Sequence, residues 1–324
     1  MDNKAWFIIV NPSSGGGISN ARLEQISQCL KQNNLLGNVY KTSIDKNAES
    51  LVGEAIRKGF KQIICVGGDG TVHNLINGVF NQSTVKASEI VVGLIPVGTG
   101  NDWARHHNIP TNYKKAIKVI SKRDVKRQDV GAITVLSKKQ RVVYFMNYAG
   151  LGFDGYVISK IEKYKFLGPL SYLIAAIANF ISFENINLKF EINSVKNTAS
   201  AFMLGVGICK YTGGGMRLAK NPDHMDGLLD ITLAEGFTKL DVVKSIPRLF
   251  NGNLFKSKKV RSYKTEKITV KIIEGADFAQ ADGELIRGTS FEFKILKKKL
   301  KNQTNHHRFS IKIKFKICTI KMKN

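Results

Sequence analysis

The feature that most constrains the fold of this chain is an alternation, over the first 110 residues, of short β-branched runs with stretches whose apolar residues recur every three or four positions. Their periodicity makes the runs strand-like and the stretches helical. The strand-like runs are residues 6–10, 39–44, 62–66 and 90–95. Alternation of this kind is typical of βαβ units, so we expect an α/β fold with a parallel sheet.

After Asp129 the pattern changes to a series of strands with one helix candidate, residues 169–181. The strand-like runs are residues 133–136, 142–149, 186–192, 201–209, 228–234 and 268–272. Strands in series after βα units predict a second, β-rich sandwich domain. We therefore expect an α/β domain over residues 1–128, a β-rich domain over 129–300 whose last strands can return to the first, and a tail over 301–324.

Three polar, glycine-rich loops follow predicted strands and precede helical stretches, at residues 11–17, 66–74 and 96–102. Ligands of open parallel sheets bind at the carboxyl ends of strands, so we expect the loops to converge on one crevice. Glycine backbone N–H groups and helix starts both favour phosphate. The first loop alone reads equally well as a surface turn, and neither GxxxxGK[ST] nor a well-formed GxGxxG is present.

The second loop carries the most specific signal. Three glycines leave a path for phosphate open, Thr71 supplies a hydroxyl, and Asp69 can hold magnesium or a substrate proton. The alternative is a tight turn with an Asx cap. Few structural roles need three glycines, an acid and a hydroxyl in that order, so we favour the phosphate-binding interpretation.

Charge points to an anionic partner. The chain has 50 Lys and Arg against 25 Asp and Glu, a formal net charge of +25, and residues 290–324 hold 11 of the cations and one acid. Such an excess implies a polyanion or an anionic membrane surface. Within the tail, residues 309–317 alternate apolar and mostly cationic side chains. This pattern predicts either a protected edge strand or a segment that docks on anionic lipid.

The chain shows no signal for membrane insertion or for a thiolate framework. Its longest apolar candidate, residues 173–181, is far shorter than the ~20 residues of a spanning helix, and its first residues are too short for a secretory signal. We therefore expect a cytoplasmic protein. No CxxC pair occurs, so neither disulfides nor a thiolate zinc site is expected from the four cysteines, Cys29, Cys65, Cys209 and Cys318.

The order of the motifs carries a family resemblance. GGDGT at residues 67–71, followed by GTGND at residues 98–102, resembles the catalytic domain of the diacylglycerol kinase family, which includes bacterial lipid kinases and the sphingosine and ceramide kinases. The resemblance continues to about residue 300 through NYAGLGFD at 147–154, GGGM at 213–216, DGLLD at 226–230 and DGE at 282–284. GGDGT is shared with NAD kinases, but these normally use an Asn-Glu pair that this chain lacks.

The resemblance implies a site for ATP and magnesium. The implied nucleotide-binding residues are Asn11, Pro12, Ser13, Ser14, Gly15, Thr42, Gly67, Gly68, Asp69, Gly70, Thr71, Val72, His73 and Thr99. The acids implied around the phosphates and the catalytic magnesium are Asp69, Asp102 and Asp129. Phosphoryl transfer depends mainly on positioning and on charge neutralisation, which this set can supply.

Three further assignments concern the catalytic base and a second metal site, both implied by the resemblance, and the histidines. Glu284 is implied as the base that accepts the proton of the lipid hydroxyl, although Asp-Gly before it also predicts a hairpin turn. Asp223, Asp226 and the carbonyl of Leu228 are implied as a second, structural magnesium site, for which a solvated loop is the alternative. Neither His224 nor the pairs at 106–107 and 306–307 is expected to bind metal, and we expect both pairs to be exposed.

The sequence thus predicts a two-domain kinase that transfers the γ-phosphoryl group of ATP to the hydroxyl of a membrane lipid, with diacylglycerol as the first candidate and phosphatidic acid as product. The alternatives are a sphingoid-base or ceramide kinase and a non-catalytic basic relative that docks on membranes. We expect no nucleic acid partner, leave a homodimer open, and place the protein at the inner face of the membrane.

Overall fold

The computed structural model describes residues 5–160, 179–180 and 182–303. Several predicted features lie wholly or mostly outside these residues: the helix expected at 169–181, the alternating segment 309–317, Cys318, and the histidine pair at 306–307. The remaining predicted elements can be compared with the structure.

The first part is a parallel sheet in the order β2-β1-β3-β4. Its elements are β1 Trp6–Val10, α1 Asn20–Gln32, β2 Gly37–Lys41, α2 Ala48–Arg57, β3 Gln62–Gly67, α3 Asp69–Asn81, β4 Val91–Pro96, α4 Asp102–His106 and α5 Tyr113–Ser121. The predicted α/β fold is confirmed. Each glycine-rich loop follows a strand of this sheet, and the second and third lead directly into α3 and α4.

Helices cover both faces of this sheet. Phe7 and Cys65 belong to a buried cluster with residues of α2 and α3, whereas Ile8 and Ile64 belong to a second cluster with residues of α1 and α5. A strand buried on both faces needs apolar side chains at every position. This explains why the strands read as continuous apolar runs.

The second part is predominantly antiparallel, and its main path runs β14-β13-β7-β9-β8-β12-β15. Its elements are β5 Val125–Val135, β6 Arg141–Phe145, β7 Tyr148–Gly152, α6 Phe153–Lys160, β8 Ile186–Ile192, β9 Val195–Gly207, β10 Leu229–Glu235, α7 Lys239–Asn251, β11 Val260–Thr265, β12 Lys267–Glu274, β13 Phe278–Ala281, β14 Glu284–Arg287 and β15 Ser290–Gln303. The predicted β-rich part is confirmed. Helix α7 was not predicted.

The last strand joins the two parts. β15 pairs antiparallel with β5 and β12, and its end pairs parallel with β4, where Lys301 lies opposite Val91. Asn302 and Gln303 are buried there. Residues 301–303, which we expected in the tail, are therefore part of the sheet. The predicted domain boundary at residue 128 lies inside β5 and stays a prediction.

Candidate functional site

The three glycine-rich loops lie side by side at the carboxyl ends of β1, β3 and β4. A Cβ on Gly15, whose φ is +65°, would collide with the carbonyl of Val97, and a Cβ on Gly98 would collide with the backbone of Gly68. Glycine is therefore required where the loops approach one another. The crevice expected from the sheet topology is present.

Helix α3 begins between two cavities. The first cavity, of about 560 Å³, is lined by Asn11, Ser13, Thr42, Thr71 and Asn74, among others. Asn11 Nδ2 donates to Thr71 Oγ1 over 2.9 Å, and Ser14 Oγ lies 3.3 Å from the same oxygen. The first loop is thereby fixed to the second through hydroxyl and amide groups that surround this cavity.

The second cavity, of about 500 Å³, lies on the other side of the second loop. It is lined by Asp69, Thr99, Asp102, Asn147 and Asp154, with Met216 and Leu218 as apolar walls. Asp69 and Thr71 are two residues apart, so one turn of chain presents a carboxylate to one cavity and a hydroxyl to the other. Thr99, which we predicted to bind the nucleotide, lines this second cavity, and its role stays a prediction.

Two carboxylates, of the half-buried Asp69 and the buried Asp102, lie beside Gly100. Asp69 accepts the backbone N–H groups of Asp102, at 3.1 Å, and Trp103, at 3.3 Å. Asp102 accepts the N–H of Gly214 at 2.7 Å and the guanidinium of Arg105 at 3.0 Å. Burial, reinforced by the charge of Asp102, raises the pKa of Asp69 to about 6, and burial also raises the pKa of Asp102. A cation or a proton is therefore favoured between them.

Asp282 fixes the turn that carries Glu284. Its side chain, 1% exposed, accepts the backbone N–H groups of Met146, Asn147 and Tyr148 at 2.8–3.1 Å. β13 and β14 form a hairpin around Asp282-Gly283, as the Asp-Gly pair predicts. Glu284 is exposed at its end, with Oε1 3.9 Å from where a side chain on Gly70 would begin. The hairpin thus brings Glu284 to the second loop.

The far wall of the second cavity contains polar groups to which the sequence analysis assigned no role. Asp154 is buried and accepts from Gln280 Nε2, at 3.1 Å, and from the Gly155 N–H, at 2.8 Å. Burial raises the pKa of Asp154 to about 7, against the effect of these hydrogen bonds. Asn147 Oδ1 is buried without a hydrogen-bond partner among the described residues. The NYAGLGFD motif contains both residues and was the available signal, whereas nothing in the sequence marks Gln280.

Some predicted residues present no side chain to either cavity. Val72 and His73 lie inside α3 and are buried, so they offer a ligand at most their backbone. His73 Nδ1 lies 3.5 Å from Asp282 Oδ2, and His73 Nε2 lies 3.2 Å from Asn77 Nδ2. Their predicted role in binding nucleotide stays a prediction.

Asp129 supports the loop at 223–228. It is fully buried, accepts the N–H of Gly227 at 2.7 Å, and donates its own N–H to the carbonyl of His224 at 2.8 Å. These contacts hold the second candidate metal loop onto β5. The predicted place of Asp129 beside the phosphates stays a prediction.

A lysine of β11 lies against the acids of the loop at 223–228. Asp223 and Asp226 each accept a backbone N–H two residues ahead, at 2.9 Å. Lys264 Nζ lies 2.7 Å from Asp226 Oδ2 and 3.4 Å from Asp230 Oδ2. Burial raises the pKa of Asp230 to about 6, although Lys264 opposes the shift. An ammonium group therefore neutralises part of this acidic loop.

The expectation that the histidine pair at 106–107 is exposed is wrong. His107 is 4% exposed, and His106 is half-buried with Nε2 2.9 Å from Nδ1 of His224. The end of α4 packs under the loops of the second part, a long-range contact that sequence spacing does not reveal.

Comparison with known proteins supports one family. Residues 5–133 match the family described as the diacylglycerol kinase catalytic domain, and residues 147–301 match the YegS C-terminal NAD kinase beta sandwich-like domain. A diacylglycerol kinase of Mycobacterium tuberculosis is 29% identical over 64% of this chain and 65% of its own length. A YegS-like lipid kinase of Xanthomonas euvesicatoria is 29% identical over 70% of this chain and 72% of its own length.

The fold agrees with a solved relative. A crystal structure of a diacylglycerol kinase from Bacillus anthracis superimposes with a TM-score of 0.71 at 23% identity, covering 94% of this chain and 98% of its own. Among the described residues, no helix is long and apolar enough to cross a membrane. The two matched domains together take in most of the chain, and the chain belongs to the diacylglycerol kinase catalytic-domain family.

Proposed function

We propose that the protein transfers the γ-phosphoryl group of ATP to the hydroxyl of diacylglycerol and so forms phosphatidic acid. The observation that carries this proposal is the position of the GGDGT loop between two cavities, with Thr71 lining one and Asp69 the other. A kinase needs two substrates to meet at one phosphoryl group. The start of α3 separates the two cavities by a single turn of chain.

The first cavity suits the nucleotide. Its volume of about 560 Å³ is in the range of ligand sites, and hydroxyl and amide groups of Asn11, Thr42 and Thr71 line it. The phosphates would lie toward the glycine loops and the start of α3, where backbone N–H groups and the helix dipole favour negative charge. We therefore assign ATP to this side.

The second cavity suits a neutral hydroxylated lipid. Asn147 Oδ1 can accept a hydrogen bond from a substrate hydroxyl, and Asp154, whose pKa is about 7, is substantially protonated at neutral pH and can donate one. Ile158, Met216 and Leu218 supply apolar contacts. Diacylglycerol, with one free hydroxyl and two acyl chains, meets both requirements of this cavity.

The chemistry proposed for the chain is acid–base and positional. The lipid hydroxyl oxygen forms a bond to the γ-phosphorus, the bond from that phosphorus to the β–γ bridging oxygen breaks, and ADP leaves. Glu284 takes the hydroxyl proton, late in the step because an alkoxide is hard to form. Asp282 keeps the hairpin of Glu284 against the turn between β6 and β7 that carries Asn147, so the base and the acceptor site are fixed together.

The residues present fit magnesium at the catalytic site. Asp69 and Asp102 are adjacent desolvated carboxylates of the kind that Mg²⁺ prefers, and burial raises the pKa of both. Magnesium would neutralise charge on the transferred phosphate there. At the loop of Asp223, Asp226 and the Leu228 carbonyl the fit is weaker, because Lys264 already lies against Asp226.

We further propose an anionic membrane as the partner surface. Leu240, Val243, Ile246 and Phe250 are exposed along α7. Lys244 is also exposed on this helix, and the whole chain carries +25. Apolar groups flanked by cations are typical of helices that lie in a membrane interface. This surface would place the enzyme where its lipid substrate resides.

The docking surface can be tested with matched variants. Val243→Asp should weaken sedimentation with anionic vesicles, while Val195→Asp, at an exposed valine of the β8–β9 hairpin, should not. Deletion of residues 304–324 tests the basic tail and spares the buried Asn302 and Gln303. Equal vesicle binding by wild type and Val243→Asp would rule out α7 as the docking helix.

The activity is tested with purified full-length protein, labelled ATP and Mg²⁺. Diacylglycerol, ceramide and sphingosine are presented separately in mixed micelles, and NAD in solution. We expect label mainly in phosphatidic acid, and Asp69→Asn as the control should produce almost none. Preferential labelling of ceramide, sphingosine or NAD would overturn the proposed acceptor, and no labelling of any of them would overturn the kinase activity itself.

A further inference from the structure

Three histidines and a cysteine with no assigned role meet where α4 packs against the second part of the chain. His106 and His107 end α4, Cys209 follows β9, and His224 lies in the loop before β10. One ligand atom each from His106, His107 and Cys209 lie within 4.8 Å of one another, and His224 Nδ1 lies 2.9 Å from His106 Nε2. We propose that this cluster binds a divalent transition-metal ion of the Zn²⁺ class.

The three imidazole rings pack against one another edge to face. Their centroids are 4.7–4.9 Å apart and each pair of ring planes meets at 88–90°. Zinc takes nitrogen ligands at about 2.0–2.1 Å and sulfur at about 2.3 Å in tetrahedral geometry. The ligand atoms therefore need to move inward by about 1 Å, which is within the reach of side-chain rotation.

The imidazoles are in the protonation state that a metal requires. Burial, reinforced by His224 and Lys210, lowers the pKa of His106 to about 3, and burial lowers the pKa of His107 well below its ordinary value. Both rings are neutral at neutral pH, and a neutral imidazole has one nitrogen lone pair available for coordination. A buried cluster of charged imidazolium rings would repel the ion.

A buried glutamine orients two of the ligands. Gln128 Nε2 donates to the carbonyl of Met146 at 2.8 Å and lies 3.6 Å from Cys209 Sγ, and its Oε1 accepts from Trp103 Nε1 at 2.9 Å. The same Oε1 lies 2.7 Å from His107 Nε2 and can only accept. Asn302 Nδ2 lies 3.1 Å from the same nitrogen. In the tautomer that donates to Gln128, His107 carries its proton on Nε2 and keeps its lone pair on Nδ1. A ligand histidine that donates its other N–H to a carbonyl oxygen is the usual arrangement at metal sites.

Metal binding should release a definite number of protons. The backbone N–H of Lys210 donates to His106 Nδ1 at 3.0 Å, so the proton of that ring lies on Nε2. Coordination through Nε2 moves this proton to Nδ1 and breaks the bond from Lys210, which belongs to an exposed loop where water can replace it. Cys209 must also lose its thiol proton, although burial raises the pKa of this thiol and Sγ donates to the carbonyl of Met146 at 3.2 Å. Binding should thus release about one proton per ion.

The donor set selects the metal. One thiolate with imidazoles suits Zn²⁺ and its neighbours in the first transition row, whereas Mg²⁺ requires oxygen ligands. The ion would tie α4, which begins at Asp102, to the end of β9. We therefore expect metal binding to stabilise the contact between the two parts of the chain.

The experiment uses the full-length protein, freed of metal with EDTA, dialysed, and kept in excess Mg²⁺ so that oxygen sites are filled. Co²⁺ serves as a spectroscopic probe. We expect one equivalent to bind with a thiolate-to-cobalt charge-transfer band, and Zn²⁺ to displace it and to raise the melting temperature by several degrees. A pH indicator should record about one proton released per ion.

Variants assign the ligands. Cys209→Ser should remove the charge-transfer band and weaken Zn²⁺ binding at least tenfold, His106→Gln should weaken binding similarly, and His224→Gln should weaken it less. Cys29→Ser, at a half-buried cysteine of α1, is the matched control and should keep the band. Circular dichroism confirms that each variant is folded. Absence of Co²⁺ and Zn²⁺ uptake by wild type, or a band that persists in Cys209→Ser, would overturn the proposal.

Discussion

Carboxylates cluster in two regions of this protein and are compensated in different ways. In the second cavity, Asp69 and Asp154 are held by backbone N–H groups and an amide, and among the described residues no Lys or Arg pairs with either. In the loop at 223–230, Lys264 lies against both Asp226 and Asp230. Backbone N–H and side-chain amide dipoles hold a carboxylate in place but leave its negative charge, whereas an ammonium group cancels that charge. Asp69 and Asp154 can therefore still take a proton or a cation, whereas Arg105 already lies against Asp102 in the same cavity and Lys264 partly neutralises the loop.

The largest effect that follows from this comparison concerns Asp69. Asp69→Asn keeps the size of the side chain and removes the charge, so turnover of diacylglycerol should fall about 10²–10³-fold while the fold is retained. Turnover is measured with labelled ATP, and folding by circular dichroism. Asp226→Ala, in the neutralised loop, should retain most of the activity. If the two variants lost activity equally, the functional distinction between the regions would fail.

The next effect isolates the acceptor side of the cavity. Glu284→Gln should lower kcat about 10²-fold, because the hydroxyl proton then has no base. ATP affinity, measured by isothermal titration calorimetry, should change little, since Glu284 lies on the hairpin rather than in the first cavity. A variant that turns over at the wild-type rate would exclude Glu284 as the base, and one that loses ATP affinity would place it with the nucleotide.

The sequence predicted the local part of this site well. A strand that ends in glycine determines a loop within a few residues, so the placement of the loops at 11–17, 66–74 and 96–102 follows from neighbours in the chain. The motif order then predicted the family. Hairpin β13–β14 is likewise set by Asp282-Gly283.

Long-range packing was outside the reach of the sequence. Asp129 donates and accepts hydrogen bonds with a loop about 100 residues away, and His106 meets His224 only because α4 packs under that loop. Helix α7 was missed because Pro247 interrupts a helical pattern, although Thr238 and Asp241 form a capping box at its start. The periodicity of a sequence predicts a helix or a strand. Which residues pack against each face of that element depends on the whole fold.

A smaller effect should separate the two regions by pH. The pKa of Asp154 is raised to about 7 in the folded protein, so the unfolded chain binds fewer protons than the folded one between about pH 4 and 7. The stability that this group contributes is present below pH 4 and is lost as pH rises through 7. Wild type should lose about 2 kcal/mol more than Asp154→Asn between pH 5 and 8, measured by urea denaturation. Parallel pH profiles of the two proteins would show that Asp154 is not desolvated.

The smallest expected effect concerns the loop at 223–230, whose acids Lys264 partly neutralises. If Mg²⁺ binds at Asp223, Asp226 and the Leu228 carbonyl, it must compete with the ammonium group for Asp226. Lys264→Met removes that competitor, so its melting temperature should rise more with Mg²⁺ than that of wild type, while Asp226→Ala should respond least and lose about 1 kcal/mol of stability. Thermal unfolding of the three proteins with and without Mg²⁺ ranks the three shifts in melting temperature. The same response in all three would mean that lysine alone balances the charge of this loop.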